Sequence, residues 1–251
     1  MKIKVSVPAT SANIGSGFDA LGLAVTLYNT VTFEESEVLD ISSADGTRIP
    51  RGESNLVYRS AKGLFEKVGK QIPPLKITQT NPIPMARGLG SSSACIIAGL
   101  LGANRMLGDV LNTQELLTLA TSIEGHPDNV APAVYGGLTM SWDMETAEGV
   151  GSVPIPGGEP MHNGFHTINY RVADDLTAAV FVPDYELSTE KARQALPTEI
   201  PFKDAVHNVS RVSLLPAAMN PAMLASGSRQ NANALLFAAT QDRLHQPFRA
   251  P

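Results

Sequence analysis

Cysteine is nearly absent from the sequence, and basic residues are in the minority. A single cysteine, Cys95, occurs among 251 residues, so no disulfide can form within the chain. A reducing cytoplasm is the simplest location for such a chain. The 19 basic residues are outnumbered by 24 acidic ones, which gives a net charge of −5. Nucleic-acid-binding proteins usually present a basic face, so we expect no nucleic-acid partner.

Long apolar runs are absent as well. The longest lies around residues 94–103, far short of the ~20 residues that span a bilayer. The first ten residues, MKIKVSVPAT, alternate polar and apolar side chains. This alternation is typical of a strand and not of the apolar segment of a signal peptide. The hydrophobic residues make up 43% of the chain, which is the composition of an ordinary globular protein. Since no apolar run is long enough to span a bilayer, we expect no membrane partner.

The rest of the chain predicts strands and helices in irregular alternation. Strands are predicted at 2–7, 22–34, 75–80, 135–143 and 176–183, and helices at 55–68, 92–107, 112–124, 189–196 and over most of 202–240. No regular βαβ period appears, so the predicted fold class is α+β and not a doubly wound sheet. Residues 144–164 hold five glycines and three prolines and predict a boundary between domains at 1–153 and 154–251.

Helix ends are indicated by capping residues and prolines. Ser54 and Ser188 are predicted to cap the helices that follow them. Asn112 and Glu115 have the spacing of a capping box. Breaks are expected at Pro216 and Pro221, because proline removes a helical hydrogen bond.

The segment PMARGLGSSSA, residues 84–94, places two glycines and three serines before an apolar helix. Gly88 and Gly90 permit tight turns and close approach to a ligand. The serines add hydroxyl groups, and the helix N-terminus adds free N–H donors with a partial positive charge. These features predict a phosphate cradle, although serines that merely cap a helix give the same pattern. The sequence matches neither the P-loop nor a complete dinucleotide-binding fingerprint.

The same segment allows a hydrolase interpretation. GSSSA, residues 90–94, is close to the G-x-S-x-G turn that exposes a nucleophilic serine. Ser92 would then be the nucleophile, with His207 or His245 as its base and Asp184 as the orienting acid. Three adjacent hydroxyls after a glycine-rich turn suit an anion cradle better.

Two further stretches place polar side chains in turns. PATSANIGSGFDALGLA, residues 8–24, brings Asn13 and Asp19 into a glycine-rich loop between strands. They can contact a small polar substrate or satisfy their own backbone. In EGHPDNVAP, residues 124–132, Glu124 and Asp128 can bind Mg²⁺ or a hydroxyl group, since Mg²⁺ takes one or two carboxylates plus substrate phosphates. Alternatively, Asp128 caps the next helix and His126 is structural. Too few His and Cys residues are suitably spaced for a zinc site.

The three stretches occur in the order PATSANIGSGFD, PMARGLGSSSA and EGHPDNVAP. In this order they resemble the homoserine kinase family, a branch of the GHMP small-molecule kinases. STEKARQALP at 188–197 and DRLHQPFRAP at 242–251 are similar to this branch and not to the wider superfamily. The resemblance implies an N-terminal domain like ribosomal protein S5 domain 2 and a ferredoxin-like C-terminal domain. It also implies an alcohol-directed phosphotransferase that uses ATP, with L-homoserine as the small-molecule partner and threonine biosynthesis as the context.

The resemblance also implies roles for individual residues. The residues that would hold the ATP phosphates are Pro84, Arg87, Gly88, Leu89, Gly90, Ser91, Ser92, Ser93 and Ala94. Ser92 and Glu124 would approach Mg²⁺. The residues that would surround the amino acid are Asn13, Asp19, Asp128, Asn129, Arg193 and Arg249. The sequence leaves two alternatives open. Either Asp128 acts as a general base, or Asn129 merely positions the hydroxyl group. A homodimer is compatible with the sequence, which does not fix the oligomeric state.

One departure from the family pattern concerns the C-terminus. The family has a third glycine-rich motif, roughly S-G-x-G-P, and this chain has no such motif. The expectation is a truncated chain with a whole first domain and a second domain that lacks part of its sheet, leaving apolar edges exposed. Two alternatives to the leading interpretation are a mevalonate-type kinase and a nucleotide-binding fragment without catalysis.

Overall fold

The structure is a computed structural model that describes residues 1–145, 149–182 and 189–249. Its strands are β1 (Lys2–Ala12), β2 (Leu21–Glu35), β3 (Asp40–Ser43), β4 (Leu75–Thr80), β5 (Leu138–Met144), β6 (Ser152–Val153), β7 (Met161–His162) and β8 (Gly164–Tyr170). Its helices are α1 (Leu56–Lys67), α2 (Ser91–Met106), α3 (Thr113–Glu124), α4 (Val130–Tyr135), α5 (Thr189–Gln194), α6 (Phe202–Met219), α7 (Ala232–Ala239) and α8 (Gln246–Arg249). Two 3₁₀ helices at Pro221–Met223 and Ser226–Asn231 lie between α6 and α7.

A mostly antiparallel sheet organises the first 170 residues. Its strand order is β3-β4-β2-β5-β8, and β1 pairs with β2. The β1–β2 register runs from Lys2 opposite Glu34 to Ala12 opposite Gly22. Among the strand pairs of the described residues, only β3 and β4 pair in parallel, so the predicted α+β class is confirmed and the doubly wound alternative is excluded.

Two apolar clusters pack against this sheet. The larger cluster joins the sheet to α1, α2, α3 and α4, and α2 lies at its centre with apolar residues on most of its surface. The smaller cluster joins Leu21 of β2 and Leu138 of β5 to α6 and α7. This packing brings the C-terminal helices beside the loop between β1 and β2. Among the described helices, none is both long enough and apolar enough to cross a membrane.

Most predicted elements are confirmed. The strands predicted at 2–7, 22–34, 75–80 and 135–143 appear as β1, β2, β4 and β5, and the predicted capping box of α3 forms. The helix predicted at 189–196 appears as α5, while Ser188 lies outside the described residues. The division into domains at residue 153 stays a prediction, and β8, which follows that position, pairs along β5.

Two predictions for the C-terminal half are wrong. No strand forms at 176–182, and Pro183 lies outside the described residues. No described strand pairs with that segment, so its β-forming side chains do not build a strand. Phe181 in that segment is 93% exposed. Helix α6 continues through Pro216 and ends at Met219. Pro216 removes one helical hydrogen bond, but Leu215, Ala218 and Met219 around it are buried in the smaller apolar cluster, and this packing holds the last turn in helical form.

The predicted cap of α1 is wrong by one residue. Asn55, and not Ser54, is the N-cap, and its Oδ1 accepts from the backbone N of Val57 and Tyr58. The same oxygen accepts from Gln79 Nε2 at 3.0 Å, and Asn55 Nδ2 donates to a backbone carbonyl at 2.8 Å. Both residues are capping types, but Asn55 is 2% exposed whereas Ser54 is exposed.

We expect Asn55→Ala to lower the free energy of unfolding by about 2–3 kcal/mol, because it removes a helix cap and leaves buried polar partners unsatisfied. Ser54→Ala should change that free energy by less than about 0.5 kcal/mol, as surface substitutions usually do. Urea unfolding followed by circular dichroism measures both values. Equal destabilisation by the two substitutions would contradict the assignment of the cap.

Candidate active site

The glycine-serine segment forms an irregular loop that ends at the N-terminus of α2. Its backbone has positive φ at Ala86, Gly88 and Gly90, with values of 54°, 72° and 64°. Arg87 donates from Nη1 to the carbonyl of Ala86 at 3.3 Å. Gly90 is the N-cap of α2 and forms no side-chain cap. No side chain at the cap position therefore accepts hydrogen bonds from the first-turn N–H groups of α2. Such N–H groups at a helix N-terminus are the donors that an anion site requires.

Gly90 is held against two other segments. A Cβ atom at this position would lie 1.9 Å from Thr10 Oγ1 and 3.1 Å from Asn129 Oδ1. Thr10 Oγ1 donates to Asn129 Oδ1 at 2.8 Å, and the Thr10 backbone N donates to the Leu89 carbonyl at 3.1 Å. Thr10 thus joins β1, the glycine-serine loop and the turn before α4. In the sequence Thr10 looks like an ordinary strand residue, and no local pattern distinguishes it as part of the site.

Glu124 lies at the end of α3 and contacts the start of α2. Its Oε2 accepts from Ser92 Oγ at 2.8 Å, and its Oε1 accepts from Ser93 Oγ at 2.9 Å. The predicted pair of Ser92 and Glu124 is therefore in contact. Because the Ser92 hydroxyl donates to a carboxylate and not to a histidine, this geometry does not fit the hydrolase alternative. Asp184 lies outside the described residues.

The chemistry of this pair suits a hard cation. Over the parts of the chain that the structure describes, no three His, Cys, Asp or Glu side chains form a metal cluster. One carboxylate and one hydroxyl would leave several positions of a Mg²⁺ ion to water and phosphate oxygens. Mg²⁺ in phosphotransferases is typically held in this sparse way, so the residues present fit the ion.

Asp128 is buried at the turn between α3 and α4. Its side chain is 1% exposed. His126 Nδ1 donates to Asp128 Oδ1 at 2.5 Å, while Asp128 Oδ2 is buried without a partner among the described residues. Asn129, and not Asp128, is the N-cap of α4, so the interpretation of Asp128 as a helix cap is wrong. A buried carboxylate oxygen without a partner is rare in folded proteins, and a catalytic role is one explanation for such a group.

The contact with Asp128 controls the ionisation of His126. The hydrogen bond that His126 donates to Asp128 raises the pKa of His126, and burial opposes this effect. A raised pKa in the folded state means that the pair stabilises the fold while His126 is protonated. This contribution is fully present below the pKa of the unfolded chain and is lost as pH rises through the raised value.

We expect Asp128→Asn to move the pKa of His126 from above to below that of an ordinary histidine, because burial is then the largest remaining influence and outweighs the opposing charge of Glu124. A ¹H–¹⁵N NMR titration of the imidazole measures this change. Asp109→Asn is the matched control at an exposed carboxylate and should leave the titration of His126 in place. A pKa of His126 that stays raised in Asp128→Asn would contradict the assigned pair.

The loop between β1 and β2 carries the other predicted acidic residue. Asn13 and Asp19 both have positive φ, 57° and 54°, a conformation uncommon outside glycine. The Asp19 backbone N donates to Asn13 Oδ1 at 2.9 Å, so Asn13 does satisfy its own loop. Arg193 of α5 donates two hydrogen bonds to the Asp19 carboxylate, at 2.7 and 2.9 Å. This bidentate contact raises the pKa of Arg193.

Arg249 reaches the same loop from the C-terminal end of the described chain. Its guanidinium carbon lies 5.0 Å from the centre of the Phe18 ring, and its Nε is buried without a partner among the described residues. Burial, followed by the charge of Arg193, lowers the pKa of Arg249, whereas the charges of Asp19 and Asp128 act to raise it. The predicted residues Asp19, Asp128, Arg193 and Arg249 are thus close enough to interact.

The segment before Arg249 is held in place by Asp242 and His245, and the sequence alone does not indicate that these two residues fix the segment. The Asp242 carboxylate accepts from the backbone N of Leu244, His245 and Gln246 and from Asn208 Nδ2. His245 Nε2 donates to the carbonyl of Gly15 at 2.7 Å. The aspartate four residues before a short helix was a detectable signal for this turn, but its contact with α6 depends on the tertiary fold.

Taken together, the site has a helix N-terminus for an anion and a buried carboxylate with a free oxygen. It also has a group suited to a zwitterion, the Asp-Arg-Arg group, which consists of Asp19, Arg193 and Arg249. Asn129 lies between the first two parts, since Thr10 bonds it beside Gly90 and it follows Asp128 directly.

Sequence comparisons identify relatives of the chain. Residues 55–137 match the model of the GHMP kinases N terminal domain. Over 249 residues the chain is 44% identical to the homoserine kinase of Caldicellulosiruptor saccharolyticus, covering 98% of this chain and 72% of the relative. Over 250 residues it is 41% identical to the homoserine kinase of Moorella thermoacetica, covering 98% of this chain and 75% of the relative.

Solved structures agree with these matches. The crystal structure of homoserine kinase from Cytophaga hutchinsonii superposes with a TM-score of 0.75 at 29% identity, covering 99% of this chain and 74% of that one. The phosphomevalonate kinase of Streptococcus pneumoniae gives a TM-score of 0.61 at 12% identity, covering 95% of this chain and 80% of that one. At that identity the likeness shows only a shared fold. The chain is about three quarters as long as these homoserine kinases.

Proposed function

The chain belongs to the homoserine kinase family of GHMP kinases, and we propose that it phosphorylates L-homoserine. The γ-phosphoryl group of ATP would pass to the side-chain hydroxyl, giving O-phospho-L-homoserine and ADP for threonine biosynthesis. The observation that carries this proposal is the identity of 41–44% to homoserine kinases over 98% of the chain. The single cysteine supports a cytoplasmic location, and the homodimer remains a prediction.

The amino acid would bind at the Asp-Arg-Arg group. L-Homoserine is a zwitterion, with an ammonium group and a carboxylate on one carbon. In the free site the Arg193 guanidinium is satisfied by Asp19 at 2.7 and 2.9 Å. The substrate can replace that contact with two others, its ammonium group at Asp19 and its carboxylate at Arg193 and Arg249. Because Asp19 and Arg193 are already paired, their contact is exchanged for contacts with the substrate, and the groups newly desolvated are mainly the two charges of the substrate.

The ATP phosphates would bind at the loop from Pro84 to Ala94 and the first turn of α2. The backbone N–H groups there offer preorganised donors at the positive end of the helix. Ser92 and Glu124, already in contact at 2.8 Å, would hold Mg²⁺. The ion would supply neutralisation of phosphate charge, while the loop fixes the position of the phosphates. Alignment and charge neutralisation are the main requirements of phosphoryl transfer.

The acceptor hydroxyl would lie between Asp128 and Asn129. Asp128 Oδ2 is a buried acceptor without a partner in the described structure, so it can accept a hydrogen bond, and later the proton, from the hydroxyl group. Thr10 donates to Asn129 Oδ1, which leaves the Asn129 amide to act as a hydrogen-bond donor. Asp128 would therefore orient and deprotonate the hydroxyl, and Asn129 would position the oxygen.

Steady-state kinetics with different acceptors test the proposed function. With ATP and Mg²⁺, L-homoserine should support ADP release with a kcat of about 1–100 s⁻¹, as is usual for kinases. Mevalonate lacks an ammonium group for Asp19, so its kcat/KM should be at least about 100-fold lower. Equal use of the two alcohols would favour a mevalonate-type enzyme. ATP binding without turnover on either alcohol would favour a non-catalytic nucleotide-binding protein.

A further inference from the structure

Phe18 lies in the loop between β1 and β2 and contacts both proposed substrate arginines. Its ring stacks on the His245 imidazole with a centroid distance of 5.1 Å and an interplanar angle of 25°. The guanidinium carbon of Arg249 lies 5.0 Å from the ring centre, and that of Arg193 lies 5.8 Å from it. One aromatic ring thus contacts α5, α8 and the turn between α7 and α8.

This ring counters the repulsion between two like charges. Arg193 is neutralised by the carboxylate of Asp19, whereas Arg249 Nε has no partner in the described part of the chain. The negative face of an aromatic ring attracts a guanidinium within about 6 Å of its centre. Phe18 can therefore keep Arg249 beside Arg193 before any anion has entered the site.

The ring is itself held from the side of the C-terminal segment. His245 is 3% exposed, and its Nε2 donates to the Gly15 carbonyl in the loop that carries Phe18, at 2.7 Å. The backbone N of His245 donates to the Asp242 carboxylate at 2.9 Å. His245 is thus held through its backbone N and through one ring nitrogen, and its imidazole supports the face of the Phe18 ring that stacks on it.

We infer that Phe18 is a positioning residue whose ring holds Arg193 and Arg249 together as a receptor for the α-carboxylate of the substrate. The inference rests on the proposed function and adds a determinant of substrate affinity outside the polar residues of the site. Two guanidinium groups held together offer more well-placed donors to a carboxylate than one. Without the ring, Arg249 would have to be brought into place by the substrate itself, which weakens binding.

The test compares substitutions at Phe18 with a matched substitution elsewhere. Phe18→Leu keeps an apolar side chain but removes the ring, while Phe18→Tyr keeps the ring. Phe65→Leu makes the same chemical change in the core beside α1, where Phe65 is buried. Calorimetric titration gives the Kd for L-homoserine, and initial rates give kcat and both KM values. Thermal unfolding confirms that each variant is folded at the assay temperature.

We expect Phe18→Leu to raise the Kd and KM for L-homoserine about 10-fold, the loss expected for a partly desolvated cation–π contact. The KM for ATP in Phe18→Leu should stay within about 2-fold of the wild-type value. Phe18→Tyr keeps the aromatic ring, so its affinity for homoserine should also stay within about 2-fold of the wild type. Phe65→Leu should lower the melting temperature without changing the Kd for homoserine. An unchanged Kd in Phe18→Leu would overturn the inference.

A double-mutant cycle with Arg249→Met separates positioning from general loop damage. If the ring acts through Arg249, Phe18→Leu should weaken homoserine binding by less than about 3-fold in the Arg249→Met background, since the two effects are then coupled. A full 10-fold loss in that background would contradict the inference. A wild-type protein that binds homoserine with this Phe18 dependence but releases no ADP would contradict the proposed function alone. A wild type that does not bind homoserine would overturn both.

Discussion

Gly90→Val is expected to raise the KM for ATP by about 100-fold or more while most of the fold remains. Gly90 has a φ of 64°, and a side chain in this conformation costs about 1–2 kcal/mol. Its Cβ atom would also lie 1.9 Å from Thr10 Oγ1, and overpacking of this kind typically costs a further ~1–3 kcal/mol. The loop would have to move away from Thr10, and the N–H groups of the phosphate cradle would move with it.

Gly88→Val is the matched control for this prediction. Gly88 has a φ of 72°, but nothing described lies within 4 Å of the position of its Cβ atom. The backbone strain is therefore shared by the two variants, and the contacts with Thr10 and Asn129 are what differ. We expect the KM for ATP in Gly88→Val to rise at least about 10-fold less than in Gly90→Val. Circular dichroism checks folding, and nucleotide affinities within 2-fold of the wild type in both variants would contradict the phosphate-loop assignment.

Asp128→Asn is expected to lower kcat by about 10²–10⁴-fold, the usual contribution of a general base. The substitution preserves the size of a side chain that is 1% exposed, so its main effect is to remove the negative charge and the proton acceptor. The KM for ATP should change little, because the phosphate loop binds the nucleotide through other residues. Initial-rate kinetics at saturating ATP and homoserine measure the effect.

Asp19→Asn makes the same chemical change at the carboxylate proposed to bind the substrate ammonium group. It should act mainly on the KM for homoserine, with a rise of about 10–100-fold for a lost charge-assisted contact. The two aspartates are thus distinguished by whether kcat or KM changes more. A kcat within 3-fold of the wild type in Asp128→Asn would show that Asn129 and the bound phosphates suffice to align the hydroxyl group.

Local features of the fold could be predicted because their causes lie close together in sequence. The capping box of Asn112 and Glu115 uses residues three positions apart, and it forms as expected. Strands β1 and β2 follow from their alternation of side chains. Ser54 and Asn55 are adjacent residues of capping type, so local sequence does not decide which of them caps α1. The choice depends on the hydrogen bonds that buried Asn55 forms with Gln79 and with the loop before the helix.

The segment at 176–182 shows the limit of propensity. Its β-branched and aromatic side chains favour a strand, yet a strand needs a partner, and among the described residues none pairs with this segment. Pro216 shows a different limit, because the helical hydrogen bond that it removes is outweighed by the burial of its neighbours Leu215, Ala218 and Met219, which the local sequence does not reveal.

The sequence indicated acidic, basic and glycine residues for the candidate site, whose roles stay predictions, but it did not indicate the residues that arrange them. Glu124 and Ser92, and Asp19 and Arg193, were each expected and are each in contact. Thr10 lies 119 positions from the asparagine that it bonds. Phe18 and His245 are likewise far apart in sequence and stack only through the packing of the C-terminal helices on the sheet. Such long-range contacts leave no local pattern in the sequence.

The most direct test of the account is identification of the product by ³¹P NMR. The 251-residue chain would be incubated with ATP, Mg²⁺ and L-homoserine, and a parallel sample would omit the amino acid. We expect a phosphate monoester signal coupled to two methylene protons, appearing in step with ADP and only when homoserine is present. Inorganic phosphate as the sole new phosphorus product besides ADP, or no loss of ATP from a folded sample that binds it, would contradict the proposed transfer.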